Sequence, residues 1–187
     1  RGLFGGVGFW AAPGLKARKT GPNGPYFQAQ QKVFDALREL WSRLDGDDRR
    51  VIIVAQSLGG QVVSNYLWDA NPERDPRNGV WSVPQSFDRP EEEAFCRGNK
   101  THRLLTTGCN IPIFVAGIDR ADITPIRKLS PQFEWHNYYD QDDVLGWPLR
   151  DLSDSYKERG TKDPAINAGP AKGVRPAKAH HTPGGPR

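Results

Sequence analysis

A serine flanked by small residues follows a short apolar run. Residues 51–54 are all β-branched, which is typical of a buried strand, and Ser57 comes three residues later. Ala55 and Gly59, two positions before and after it, leave room for a sharp turn, and apolar residues at helical spacing follow. The pattern predicts a strand that turns abruptly into a helix and holds Ser57 in strained backbone geometry as a nucleophile. The alternative is an ordinary junction in which Ser57 only caps the helix.

Three aspartates follow another predicted strand. Residues 133–139 alternate and are rich in aromatics, and Asp140, Asp142 and Asp143 come directly after them. Functional groups of open α/β sheets gather where strands end, and a serine–histidine pair needs a carboxylate there to orient the imidazole. The first position of an Asp-x-Val-hydrophobic turn favours Asp142, with Asp143 as the close alternative and Asp140 as the remoter one. Some of these side chains are expected to cap backbone N–H groups instead.

The elements that position these residues indicate an α/β fold. Apolar residues at three-to-four spacing predict a helix over 26–44, followed by the strand at 51–55 and a helix over about 59–70. Residues 110–117 read as a second buried strand and residues 133–139 as a third. Because long crossovers separate these strands, we expect a mainly parallel sheet with flanking helices.

The 187 residues are enough for one domain with one core. We expect an irregular segment at 1–25, a core at 26–168 with a covering insertion at about 71–108 that contains a short helix, and a disordered Pro/Gly-rich tail at 169–187. No stretch reads as a transmembrane span or a signal peptide.

The net charge of +4 is unevenly distributed. Residues 156–187 carry +5, which leaves the rest of the chain near neutral, and the basic residues are not interleaved with aromatics as in a nucleic-acid groove. We therefore expect no nucleic-acid partner. The two cysteines, Cys96 and Cys109, are predicted to be small buried side chains in a reducing, cytoplasmic setting, and neither has a histidine or cysteine at metal-ligand spacing.

Three segments together carry a family resemblance. Residues 55–69, 108–117 and 135–149 are similar to a poorly characterised family of bacterial serine hydrolases with the α/β-hydrolase fold, and the similarity extends over roughly residues 26–168. The resemblance implies Ser57 as nucleophile, Asp142 or Asp143 as acid, a histidine near the C-terminus as base, small-molecule esters as substrates and no cofactor. We expect this core to be truncated at the N-terminus and altered at the C-terminus.

The base and the oxyanion donors are the weaker parts of the pattern. In this fold the histidine follows the acid, which leaves His180 and, as alternative, His181, while His102 is assigned to the insertion and His136 to its strand. The backbone N–H of Leu58 would provide one oxyanion donor, and the glycines of residues 5–8 are a candidate for the second. The sequence thus predicts a lipase- or esterase-like serine hydrolase, or alternatively a non-catalytic hydrolase-like scaffold or binding module.

Overall fold

A computed structural model describes residues 21–45, 47, 49–74 and 77–167 of the chain. Within them, helices separate the strands along the chain, as the sequence predicts. The helices are α1 (Pro25–Leu44), α2 (Leu58–Asp69), α3 (Pro90–Cys96), α4 (Ile111–Val115) and α5 (Asp154–Glu158), and short 3-10 turns join several of them. The strands are β1 (Val51–Gln56), β2 (Thr101–Thr107), β3 (Glu134–Asp140) and β4 (Ala165–Ile166).

The four strands form one all-parallel sheet in the order β1-β2-β3-β4. Because the strands are parallel, the segments that leave β1, β2 and β3 meet at one edge, which we call the carboxyl edge. The predicted α/β class with flanking helices is therefore confirmed.

Helix α1 provides much of the core. Its buried side chains, at three-to-four spacing, are Tyr26, Gln30, Phe34 and Leu37, and the helix packs on α2 and α3. Asp45 ends it with left-handed backbone angles, φ 45° and ψ 43°. None of the helices in the described ranges has the length and apolar character needed to cross a bilayer.

The second strand was wrongly predicted. Residues 110–117 form α4 and a turn, because Pro112 lies in the first helical turn, where the absence of an N–H is harmless, whereas it would break a central strand. The strand is instead β2, whose buried positions include Thr101, Leu104 and Thr106. A pattern rich in threonine concealed a strand with three buried residues.

The insertion predicted at 71–108 is corrected as well. Its last part is β2, in the interior of the sheet, so His102 lies on a strand rather than in a covering segment. The preceding residues contribute Val80, Trp81 and Phe95 to the core. This segment thus packs with α1 and α2, and together they form a helical layer.

β1 was predicted to be a buried strand, but one of its faces is exposed. Ile52 and Val54 are 54% and 71% exposed.

Glu134, the first residue of β3, pairs with two basic side chains. It accepts a hydrogen bond from Lys162 Nζ at 2.7 Å, and His136 Nε2 lies 2.9 Å from its other oxygen. These two contacts, that of Lys162 foremost, lower the pKa of Glu134 to about 2. His136 lies in its strand, as predicted.

Candidate active site

Ser57 lies between β1 and α2 in a backbone conformation that L-residues rarely adopt. Its angles are φ 50° and ψ −124°, and Asp45 is the other non-glycine residue with positive φ in the described part of the chain. Such a conformation costs about 1–3 kcal/mol and persists only where the surrounding structure enforces it. Ser57 makes no side-chain capping bond to α2, so the helix-cap alternative is not supported.

Small residues around Ser57 let α2 pack closely on the sheet. A Cβ atom at Gly59 would lie 3.9 Å from the Ala55 Cβ, an ordinary van der Waals contact, so the two positions face each other closely. A Cβ at Gly60 would lie 3.1 Å from Cys109 Sγ and 3.4 Å from Thr106. The glycines therefore bring the start of α2, and with it Ser57, close to the end of β2.

The backbone N–H of Leu58 is the donor nearest in sequence to Ser57. Leu58 is the first residue of α2, and first-turn N–H groups have no carbonyl partner within their own helix. The side chain is 47% exposed. The carboxyl edge therefore presents a hydroxyl and a first-turn N–H on consecutive residues.

Hydrogen bonds align the ends of the first three strands. The Ser57 N–H donates to the carbonyl of Thr107 at 2.8 Å, and the Gly108 N–H donates to that of Tyr138 at 3.3 Å. Gly108 has φ +53°, which a glycine adopts without strain. Ser57 and the residues after β3 thus approach the same Thr107–Gly108 segment from opposite sides.

Asp143 packs against that segment. A Cβ at Gly108 would lie 3.2 Å from Asp143 Oδ2, and one at Gly146 would lie only 2.6 Å from it, so two glycines make room for this carboxylate. Oδ1 accepts the N–H of Leu145 at 2.9 Å, which fixes the orientation of the group. The side chain is half-buried.

Asp142 and Asp140 are arranged differently. Asp142 is exposed, and its backbone N–H donates to Asp140 Oδ1 at 3.0 Å. Asp140 therefore stabilises the turn, the capping role expected for one of the three aspartates. Of the three aspartates, Asp143, the close alternative in the sequence prediction, is the one whose carboxylate lies beside Gly108.

A partly buried polar network connects this edge to the interior of the sheet. Asn137 Nδ2 donates to Asp163 Oδ1 at 2.8 Å and to the Trp147 carbonyl at 3.0 Å, and its Oδ1 accepts from the Thr106 hydroxyl. Asp163 in turn accepts the backbone N–H of Leu149 at 2.9 Å. The network ties the loop after β3 to the sheet, and nothing in the residue pattern had indicated it.

The two cysteines are buried free thiols, as predicted. Burial raises the pKa of the Cys109 thiol to about 12, although the hydrogen bonds of this thiol act in the opposite direction. Burial also raises the pKa of Cys96 to about 12. Both are therefore protonated at neutral pH and unsuited to nucleophilic chemistry.

The histidines of the described residues lie away from Ser57. His102 is the second residue of β2, near the opposite edge of the sheet, and His136 is the third residue of β3. The predicted bases, His180 and His181, and the glycines of residues 5–8 fall outside the described residues. A further polar group at the carboxyl edge, not anticipated from the sequence, is Asn110, whose Oδ1 is buried without a hydrogen-bond partner.

Comparisons of the chain with protein-family models, with curated proteins and with solved structures found no match.

Proposed function

We propose that the chain is the core of a serine hydrolase of the α/β-hydrolase type, with Ser57 as nucleophile. The observation that carries the proposal is the backbone of Ser57, at φ 50° and ψ −124°, on the turn between a parallel strand and a helix. A structural serine gains nothing from this strain, whereas a nucleophile gains exposure at the carboxyl edge, where substrates of open α/β sheets bind.

The reaction is acyl transfer from an uncharged small-molecule ester. Ser57 Oγ attacks the carbonyl carbon, the bond from that carbon to the alcohol oxygen breaks, and the alcohol leaves with the proton that Ser57 gave up to the base. Water then cleaves the acyl-serine bond, which releases the carboxylic acid and restores the hydroxyl. The N–H of Leu58 donates to the oxyanion, and no cofactor takes part.

We assign the acid to Asp143 rather than Asp142. The carboxylate of Asp143 packs against Gly108, next to the carbonyl that binds the Ser57 N–H, whereas Asp142 is exposed. A carboxylate in this position can orient an imidazole and stabilise its charged form. The base in this proposal is His180, with His181 as the alternative.

A second candidate is a non-catalytic scaffold that retains the strained turn. The positions of His102 and His136, neither of which follows β3 at the carboxyl edge, favour it within the described residues. In either case the buried free thiols support a reducing, cytoplasmic setting.

Covalent labelling with a fluorophosphonate probe separates the two candidates. The hydrolase reacts with the probe and loses the reaction in Ser57→Ala. Ser82→Ala is the matched control, because Ser82 lies in a 3-10 turn of the helical layer and its hydroxyl donates to the Gly79 carbonyl. A folded wild-type chain that does not react, or that reacts equally in Ser57→Ala, favours the scaffold.

A further inference from the structure

Exposed apolar side chains gather at the carboxyl edge. Seven large apolar residues are strongly exposed in the described part of the chain, and four of them lie in segments that follow β1, β2 and β3. Single exposed apolar residues are normal, but several beside one site indicate a binding surface. We call these four the apolar rim: Leu58, Ile113, Val144 and Trp147, which are 47%, 42%, 56% and 51% exposed.

The apolar rim lies in the segments that surround Ser57 at the carboxyl edge. Leu58 is the next residue in the chain, and Ile113 is in α4, which begins four residues after β2 ends. The Trp147 N–H donates to the carbonyl of Cys109 at 3.3 Å, which joins the loop after β3 to the segment after β2. All four side chains are therefore carried by segments that surround the end of β2.

Trp147 presents mainly hydrocarbon surface. Its indole Nε1 donates to the Val144 carbonyl at 3.0 Å, so the polar atom of the ring is satisfied within the loop. The loop itself is fixed by Asn137, which donates to the Trp147 carbonyl. An indole held in this way is a preformed apolar contact that loses little conformational entropy when it binds a ligand.

The charge at this edge selects against anionic ligands. Asp142 is exposed, and Asp140 and Asp143 lie in the same turn. A free carboxylate would be repelled there, whereas a neutral ester would not. Apolar surface beside negative charge therefore favours an uncharged molecule with an aliphatic chain.

We propose that the apolar rim binds the acyl chain of the ester, so that the site prefers medium-length aliphatic acyl groups over acetyl. This inference rests on the proposed function. Complete burial of one methylene group changes an equilibrium about fourfold, and a chain on an open surface gains roughly half of that free energy, about twofold per methylene in contact. Three or four methylenes in contact give about tenfold.

The first test compares the rates at which ethyl and octyl fluorophosphonates label Ser57. We expect the octyl probe to react about tenfold faster, and Trp147→Ala to reduce this ratio at least threefold. Ile52→Ala is the matched control: Ile52 is 54% exposed on the open face of β1, so its removal should change the ratio less than twofold. Equal rates for the two probes, or an equal effect of the two substitutions, overturn the rim proposal while the nucleophile stands.

The second test does not require a reactive serine. Octanamide and acetamide are titrated into Ser57→Ala, and the NMR shift of the Trp147 indole N–H is followed, assigned through Trp147→Phe. A shift with octanamide but not with acetamide supports the rim. If the wild type is also not labelled by the fluorophosphonate, the missing label contradicts the proposed hydrolase while the shift still supports the rim. No shift with either amide overturns the rim.

Discussion

Replacing Ser57 with glycine should stabilise the chain relative to replacing it with alanine. A non-glycine residue at φ 50° and ψ −124° bears a strain of about 1–3 kcal/mol. Alanine retains that strain, whereas glycine has no Cβ and relieves it. Glycine loses about 0.5–1 kcal/mol through the greater freedom of the unfolded chain, so a net gain of about 1 kcal/mol remains. Neither substitution removes a helix-capping bond, because Ser57 makes none.

The free energy of unfolding is measured in urea for Ser57→Gly and Ser57→Ala, under conditions where unfolding is two-state. The expected difference corresponds to about 2–4 °C in Tm for a domain of this size. Ser42, exposed within α1, is the matched control, because glycine there should be less stable than alanine by about 1 kcal/mol. If glycine is also the less stable variant at position 57, the backbone strain is not real and the nucleophile argument fails with it.

The other predictions concern the acid, a buried thiol and the packing of α2. Asp143→Asn should slow the labelling of Ser57 roughly 10²–10⁴-fold and Asp142→Asn less than threefold, as followed by intact-protein mass spectrometry; the reverse order would restore Asp142 as the acid. Burial raises the pKa of Cys109 from 9.0 to about 12. The contribution of the protonated thiol to the free energy of unfolding is therefore complete below pH 9 and is lost as the pH rises toward 12, because the unfolded chain releases the proton first. Between pH 8 and pH 10 the wild type should therefore lose about 1 kcal/mol more unfolding free energy than Cys109→Ala, and parallel pH profiles would contradict this. Gly60→Val should cost about 1–3 kcal/mol in urea unfolding because its side chain would meet Cys109 Sγ and Thr106; a change under 0.5 kcal/mol would show that α2 does not pack so closely.

Elements with clear apolar patterns could be predicted from the sequence. Helix α1 and the β1–α2 unit have the expected bounds to within one or two residues, because the apolar positions of both helices recur at helical spacing and β1 begins with an unbroken β-branched run. Strand β2 could not be recognised, since it buries Thr101 and Thr106. The hydroxyl of Thr106 is satisfied in this interior because it donates to Asn137 Oδ1 and accepts the indole N–H of Trp135, two contacts that depend on the tertiary fold.

The candidate active site could likewise be predicted only in part from the sequence. The residue types around Ser57 predict the strained turn, because only small neighbours fit there. The choice between Asp142 and Asp143 could not be made from residue types, since it depends on the space left by Gly108 and Gly146, which lie on different segments. Only the fold brings those two glycines together.

The central claim is tested most directly by locating the adduct after fluorophosphonate labelling. The labelled chain is digested and the modified peptide is identified by mass spectrometry, with the labelled fraction of molecules measured on the intact chain. We predict one adduct per chain, on Ser57, that is absent after denaturation before labelling. An adduct on any other residue, or a folded chain that carries none, would contradict the assignment of Ser57 as the nucleophile.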